Sequence, residues 1–233
     1  MNWKDIQVSE DSTHFVFDGK PIFSKVFIEV LKFHSPGIAP VKDETGAFHI
    51  NVHGNEIYSE RYDRTFGFYC NRAAAKKEGN WFHINEGGKI LYKNKYDWVG
   101  NFQENLCTVR SSHNYFHINL EGRKVYQNEF AYAGDFRDGI ACVKLFSGGF
   151  MHIDSNGNKL NNKIFKDLGV FHKGFATAKD ENGWFHINMK GEELYSNRFS
   201  AIEPFYNGFA LVSDFDFRKM IINESGEVIH LVN

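Results

Sequence analysis

Five histidines in this chain stand 34, 34, 35 and 34 residues apart: His49, His83, His117, His152 and His186. Each lies in nearly the same word, AFHIN, WFHIN, YFHIN, FMHID or WFHIN. Imidazole ligates metals and moves protons near neutral pH, so a column of five raises both chemistries at once. Spacing argues against the first. Zinc draws its ligand atoms to roughly 2.0–2.3 Å from one ion, whereas equivalent side chains of packed sheets stand about 10 Å apart. No cysteine or carboxylate recurs beside the histidines to complete a local set. Catalysis needs a group once, while packing needs it in every copy. The expectation is therefore a structural histidine, its ring on an aromatic and a nitrogen bonded to backbone, with no metal and no cofactor.

Other candidate chemistry is sparser. Asp135 and Glu203 are unmatched carboxylates in equivalent regions of different copies. As a hydrolase pair at the edge of the array they would need a pocket and a separation of about 5–10 Å. Tyr58, Tyr92, Tyr126, Tyr195, Trp81 and Trp184 could stack on sugars if exposed, which would make a carbohydrate-binding module. Their fixed register favours packing instead. Cys70, Cys107 and Cys142 are an odd number without CxxC spacing. They read as free thiols at small positions of a strand, in a reducing compartment, and the cytoplasm is the expected location. Gly87-Gly88 and Gly148-Gly149 follow no strand-to-helix pattern, so they do not read as phosphate loops.

The elements that carry these residues repeat with them. Gly54, Gly88, Gly122, Gly157, Gly191 and Gly226 keep the same ruler, as do Phe68, Phe102, Phe136, Phe171 and Phe205. A period of this size denotes one supersecondary unit copied in tandem. In the copy at 106–139, LeuCysThrVal, TyrPheHisIleAsn and LysValTyr read as three short strands broken by turns, followed by a connector, PheAlaTyrAlaGlyAspPhe. The connector reads as a fourth short strand or an ordered link. The recurring Gly suits a hairpin position that needs positive φ. Seven units follow, at about 5–37, 38–72, 73–105, 106–139, 140–174, 175–208 and 209–233. The outer two have lost the histidine, as end copies of an array do.

The fold class expected is all-β, a single domain of tandem antiparallel β-meanders. Alternation in WFHIN sets Phe82 and Ile84 against Trp81 and His83, so both faces of a middle unit are largely apolar. Ile6 and Val8 alternate with Asp5, Gln7 and Ser9, a one-sided pattern suited to an outer face. An open, curved, β-solenoid-like array satisfies both patterns; a seven-bladed β-propeller is the alternative, and its blades usually run to about 40–50 residues.

Bulk properties exclude several classes. With 24 Phe against 4 Pro the chain is not compositionally disordered. A net charge of −2 with scattered Lys and Arg gives no footprint for nucleic acid. No apolar run approaches the roughly 18 residues that suggest a membrane span. The opening MNWKDIQVSEDS is polar and acidic, unlike a secretory leader.

The words WFHIN-x-x-G-x-x-LY, followed by F-x-x-G-x-A, resemble the bacterial WG-repeat family in an FHI-type variant. Trp81 and Trp184 stand at its tryptophan, and Phe82 and Phe185 stand where it usually has glycine. The resemblance runs over about residues 30–230 and implies a β-rich repeat module with no catalytic residues to carry over. It favours a non-enzymatic protein-binding or scaffolding role, with the partner and oligomeric state left open.

The positions that break the symmetry are the candidate surface. The connector reads FQEN at 102–105, FRDG at 136–139, FHKG at 171–174 and FYNG at 205–208. Phe and Gly or Asn persist, while Gln103, Glu104, Arg137, Asp138, His172, Lys173, Tyr206 and Asn207 differ from copy to copy. With Asp135 and Glu203 they make an uneven polar strip on one edge, where loops on a rigid scaffold carry function.

Overall fold

The computed structural model describes residues 2–232. Among them the only helix is one 3-10 turn, Trp3–Asp5, and the strands form seven antiparallel sheets, none closed on itself. The first sheet is Gln7–Val8, Phe15–Phe17 and Lys20–Pro21; the second is Glu29–Val30, Ile38–Asp43 and Gly46–Asn51. The third is Arg64–Tyr69, Arg72–Lys77 and Asn80–Ile84; the fourth is Trp98–Val99, Leu106–Ser111 and Asn114–Asn119. The fifth is Tyr132–Ala133, Ile140–Lys144 and Phe150–Asp154; the sixth is Asp167–Leu168, Phe175–Lys179 and Trp184–Asn188. The seventh has four strands, Ala201–Ile202, Phe209–Ser213, Lys219–Asn223 and Val228–Val232.

Strand composition corrects the reading of one unit. LysValTyr at 124–126 is not a strand, and neither are its equivalents in the other middle copies. The connector supplies a leading strand instead: Tyr132 pairs with Lys144 and Ala133 with Val143 of the following copy. The cause shows at Leu91-Tyr92. This segment bonds the preceding strand at two isolated points, Ile84 with Ile90 and Trp81 with Tyr96. Between them the chain leaves the ladder so that the Tyr92 ring turns inward to reach His83. A β-prone word is thus spent on a buried side chain. Only the end sheets keep the third segment as a strand, at Lys20–Pro21 and Val228–Val232.

Side chains follow the expected alternation. Phe82, His83 and Ile84 are buried while Trp81 is half-buried, and Ile6 is buried between exposed Asp5 and Gln7. The hairpin glycines have two reasons to be glycine. Gly88 sits at φ 72°, and a Cβ there would lie 2.5 Å from Cγ of Tyr58, one copy back. By contrast Gly174, at φ 88°, has open space where a Cβ would stand.

The described chain forms two compact units, residues up to His113 with His117–Lys124, and Asn114–Phe116 with Val125 onward. The first has one continuous core in which Phe15, Phe48, Ile50 and Ile84 are almost wholly buried. In the second, Phe185 and Ile187 anchor one cluster and Val212 and Ile222 another.

Candidate functional site

The histidine column is built into the packing as expected. His49, His83, His117, His152 and His186 are all buried. Each imidazole described with a ring neighbour lies on the phenylalanine of its own copy: His49 is 4.6 Å from Phe68, His83 4.6 Å from Phe102, His152 4.4 Å from Phe171 and His186 3.8 Å from Phe205. Nε2 of these four lies 2.8–3.0 Å from a backbone oxygen, of Phe66, Gly100, Gly169 and Glu203 respectively. A carbonyl only accepts, so Nε2 carries the proton and Nδ1 keeps its lone pair. Tyrosine hydroxyls donate to that lone pair: Tyr58 to His49, Tyr92 to His83, and Tyr195 to His186 at 2.5 Å.

Electrostatics agree with a neutral ring. Burial is the largest influence on His49, His83, His152 and His186 and holds each at about 4, although the carbonyl bond pulls the other way. Burial likewise pushes Tyr58, Tyr92 and Tyr195 above the usual phenol range. In His49, His83 and His186 both nitrogens are occupied inside the protein, so no lone pair is left for a metal or a substrate proton. Among the described residues, no group of three His, Cys, Asp or Glu could hold a metal ion.

Of the tyrosines that a sugar platform would use, Tyr58, Tyr92 and Tyr195 are committed to these bonds, and all four, Tyr126 included, have rings facing the next copy's glycine. Trp81 and Trp184 are half-buried and lie beside Lys76 and Lys179, at 5.8 and 5.4 Å. Asp135 and Glu203 are exposed and sit beside the leading strands of the fifth and seventh sheets, with the sixth between them in sequence. The thiol reading needs one correction. Cys107 and Cys142 are buried at small strand positions, and burial pushes the Cys142 thiol up to about 12. Cys70 is exposed in a turn instead. Its place is fixed by chain geometry, 34 residues before Glu104.

The connector strip resolves into a set of two-residue hairpin turns. Gln103 exchanges backbone bonds with Leu106, Arg137 with Ile140, His172 with Phe175 and Tyr206 with Phe209, at 2.7–3.1 Å. The central pairs all have positive φ: Glu104 and Asn105 at 51° and 65°, Asp138 and Gly139 at 52° and 74°, Lys173 and Gly174 at 50° and 88°, Asn207 and Gly208 at 51° and 84°. These are type I′ turns, matched to the strand twist. The persistent Gly or Asn fills the second central position. Glu104, Arg137, Asp138, Lys173, Tyr206 and Asn207 are exposed, and Gln103 and His172 half-buried.

Sequence reasoning missed an earlier member of this set. Phe68-Tyr69-Cys70-Asn71 has the same turn, with Cys70 and Asn71 at φ 50° and 59°, and Phe68 in the phenylalanine column was the available signal. Neighbouring turns touch within each unit. The rings of His34 and Tyr69 are 5.1 Å apart, and Lys173 Nζ stands 6.0 Å from the Tyr206 ring.

The model of the WG containing repeat matches residues 50–81, 84–112, 117–145 and 186–214, about half of the chain. The chain belongs to the WG-repeat family. No curated protein sequence matches this WG-repeat chain. Among solved structures it is similar to a eukaryotic initiation factor, with TM-score 0.63, 10% identity, and 98% of this chain covering 72% of that one. It is also similar to BamB from Moraxella catarrhalis, with TM-score 0.52, 13% identity, and coverage of 95% and 77%. The computationally designed Ika8 protein gives TM-score 0.51, 13% identity, and coverage of 97% and 83%. These neighbours have β-propeller-like folds. At such identities the likeness shows fold alone: seven-sheet, all-β repeats as expected, with part of the support going to the propeller alternative.

Proposed function

We propose that this WG-repeat chain is a non-enzymatic module that binds a protein partner through its connector turns. One observation carries the reading. The repeated residues are buried in packing, whereas the first central turn positions (Cys70, Glu104, Asp138, Lys173 and Asn207) are exposed, unlike one another, and keep side chains where glycine would be unstrained. A non-glycine residue at positive φ costs about 1–2 kcal/mol, and Cys70, Glu104 and Lys173 are not the Asn or Asp that tolerate it best. Outliers held in this way point towards function. Tyr206, 72% exposed in the turn and beside Phe209 at 47%, is the kind of aromatic that anchors an interface. Arg137 and Lys173 stand in a series of turns that also carries Asp138 and Asn207, a mixed set suited to a folded protein rather than to nucleic acid. Three cysteines with no disulfide between them suit a reducing compartment such as the cytoplasm.

The test is affinity capture from the source cell with the wild type and with the triple variant Arg137→Glu, Lys173→Asn, Tyr206→Ser. These changes spare the buried columns, and asparagine suits the turn, so the melting temperature should stay within a degree or two. Loss of a captured protein supports the strip. Retention by this variant, with loss on changing residues elsewhere on the surface, overturns it.

A further inference from the structure

The fifth copy breaks the histidine–tyrosine pair. At His49, His83 and His186 the residue nine positions on is a tyrosine whose hydroxyl meets Nδ1. Nine positions after His152 stands Asn161. Backbone register is unchanged there: the Leu160 N–H donates to the His152 carbonyl at 2.9 Å, as Leu91 does to His83 at 3.0 Å and Leu194 to His186 at 3.1 Å. Asn161 also lies on the tyrosine's track. A Cβ on Gly191 would stand 2.9 Å from Asn161 Cγ, as one on Gly226 would stand 2.6 Å from Tyr195 Cγ. An amide ends where a phenol ring only begins, so it stops short of the histidine. His152 Nδ1 and Asn161 Nδ2 are both buried without a hydrogen-bond partner, and His152 is only 2% exposed.

The hydrogen-bond polarity of this site is fixed on both sides. His152 Nε2 donates to the Gly169 carbonyl at 2.8 Å, so Nδ1 is an acceptor. Asn161 Oδ1 accepts the Lys163 N–H at 3.0 Å, so the unpartnered end of the amide is its NH2 donor. A cation would be repelled by the amide hydrogens and an anion by the imidazole lone pair. One neutral oxygen that donates to Nδ1 and accepts from Nδ2 satisfies both. That is a hydroxyl, the group the other copies supply from tyrosine. We propose that the fifth copy holds a buried water site at His152 and Asn161, the water's oxygen standing in for the tyrosine hydroxyl of the other copies. Leaving two such groups unmet is the costly outcome, and buried waters typically resolve it.

Water itself is the probe, read by NMR on the full chain. The Asn161 side-chain amide and the His152 ring show NMR cross-peaks to one long-lived water in the wild type, and the His152 ring shows none in Asn161→Tyr. Should Asn161→Tyr fail to fold, Asn161→Leu removes the donor, and the His152 cross-peak to water must be lost there as well. Absence of the water cross-peak in the wild type overturns the proposal. So does a nitrogen-15 spectrum placing the His152 proton on Nδ1.

Discussion

Acid should unfold this protein through its histidines. The ordinary value of 6.5 describes the unfolded chain, and burial holds His49, His83, His152 and His186 at about 4 in the fold. Between those values the unfolded state binds more protons, so stability is fully present above pH 6.5 and is lost as pH falls towards 4. At pH 5 a group shifted in this way loses about 2 kcal/mol, so four of them lose about 8 kcal/mol. A domain of this kind has about 5–15 kcal/mol in total, so the unfolding midpoint should fall near pH 5. Asp43 works in the same direction but lower. Burial opposes its ionisation, yet the Lys25 and Thr45 bonds outweigh this and hold it at about 2 instead of 3.8. Its contribution is therefore lost only below about pH 4. Urea unfolding followed by tryptophan fluorescence, from about pH 7 down to about pH 4.5, measures the slope directly. Four sites give at most about 5 kcal/mol per pH unit inside the window. A free energy flat within about 1 kcal/mol between pH 7 and pH 5 would refute buried neutral histidines.

Three further outcomes are expected. Gly88→Ala should cost more than Gly174→Ala, because both add positive-φ strain of about 1–2 kcal/mol but only the first drives a Cβ into the Tyr58 ring; equal losses by chemical denaturation would show that the collision is relieved. Tyr195→Phe removes the hydroxyl bonded to His186 and should cost about 1–3 kcal/mol, a loss that a repeat of the measurement with Tyr206→Phe should not reproduce. His117→Gln should likewise lower stability by about 1–3 kcal/mol while leaving any partner captured by the wild type bound, since His117 is buried; a lost partner with unchanged stability would contradict a packing role.

The repeat, the hairpin glycines and the structural histidine were legible because each recurs from copy to copy with a comparable collision or carbonyl bond. Strand phase was not. Local propensity scores Val125 and Tyr126 as strand formers, yet in the equivalent Leu91-Tyr92 the ring is drawn inward to a histidine nine residues earlier, a tertiary demand invisible to a five-residue window. Cys70 was grouped with the other cysteines by residue type, although its distance from Glu104 places it in the turn series.

Asn161 shows the same lesson in its sharpest form. The tyrosine column runs 58, 92, 126 and then 195, and the missing member falls in the one interval where the histidine ruler stretches to 35 residues. Read as a column of tyrosines, the gap is an absence; read with its histidine, it is a change of hydrogen-bond chemistry at a buried position. In a repeat, identical residues report what every copy must do to pack. A buried polar group that has lost its partner in one copy alone is under no such demand, so something outside the repeat must satisfy it.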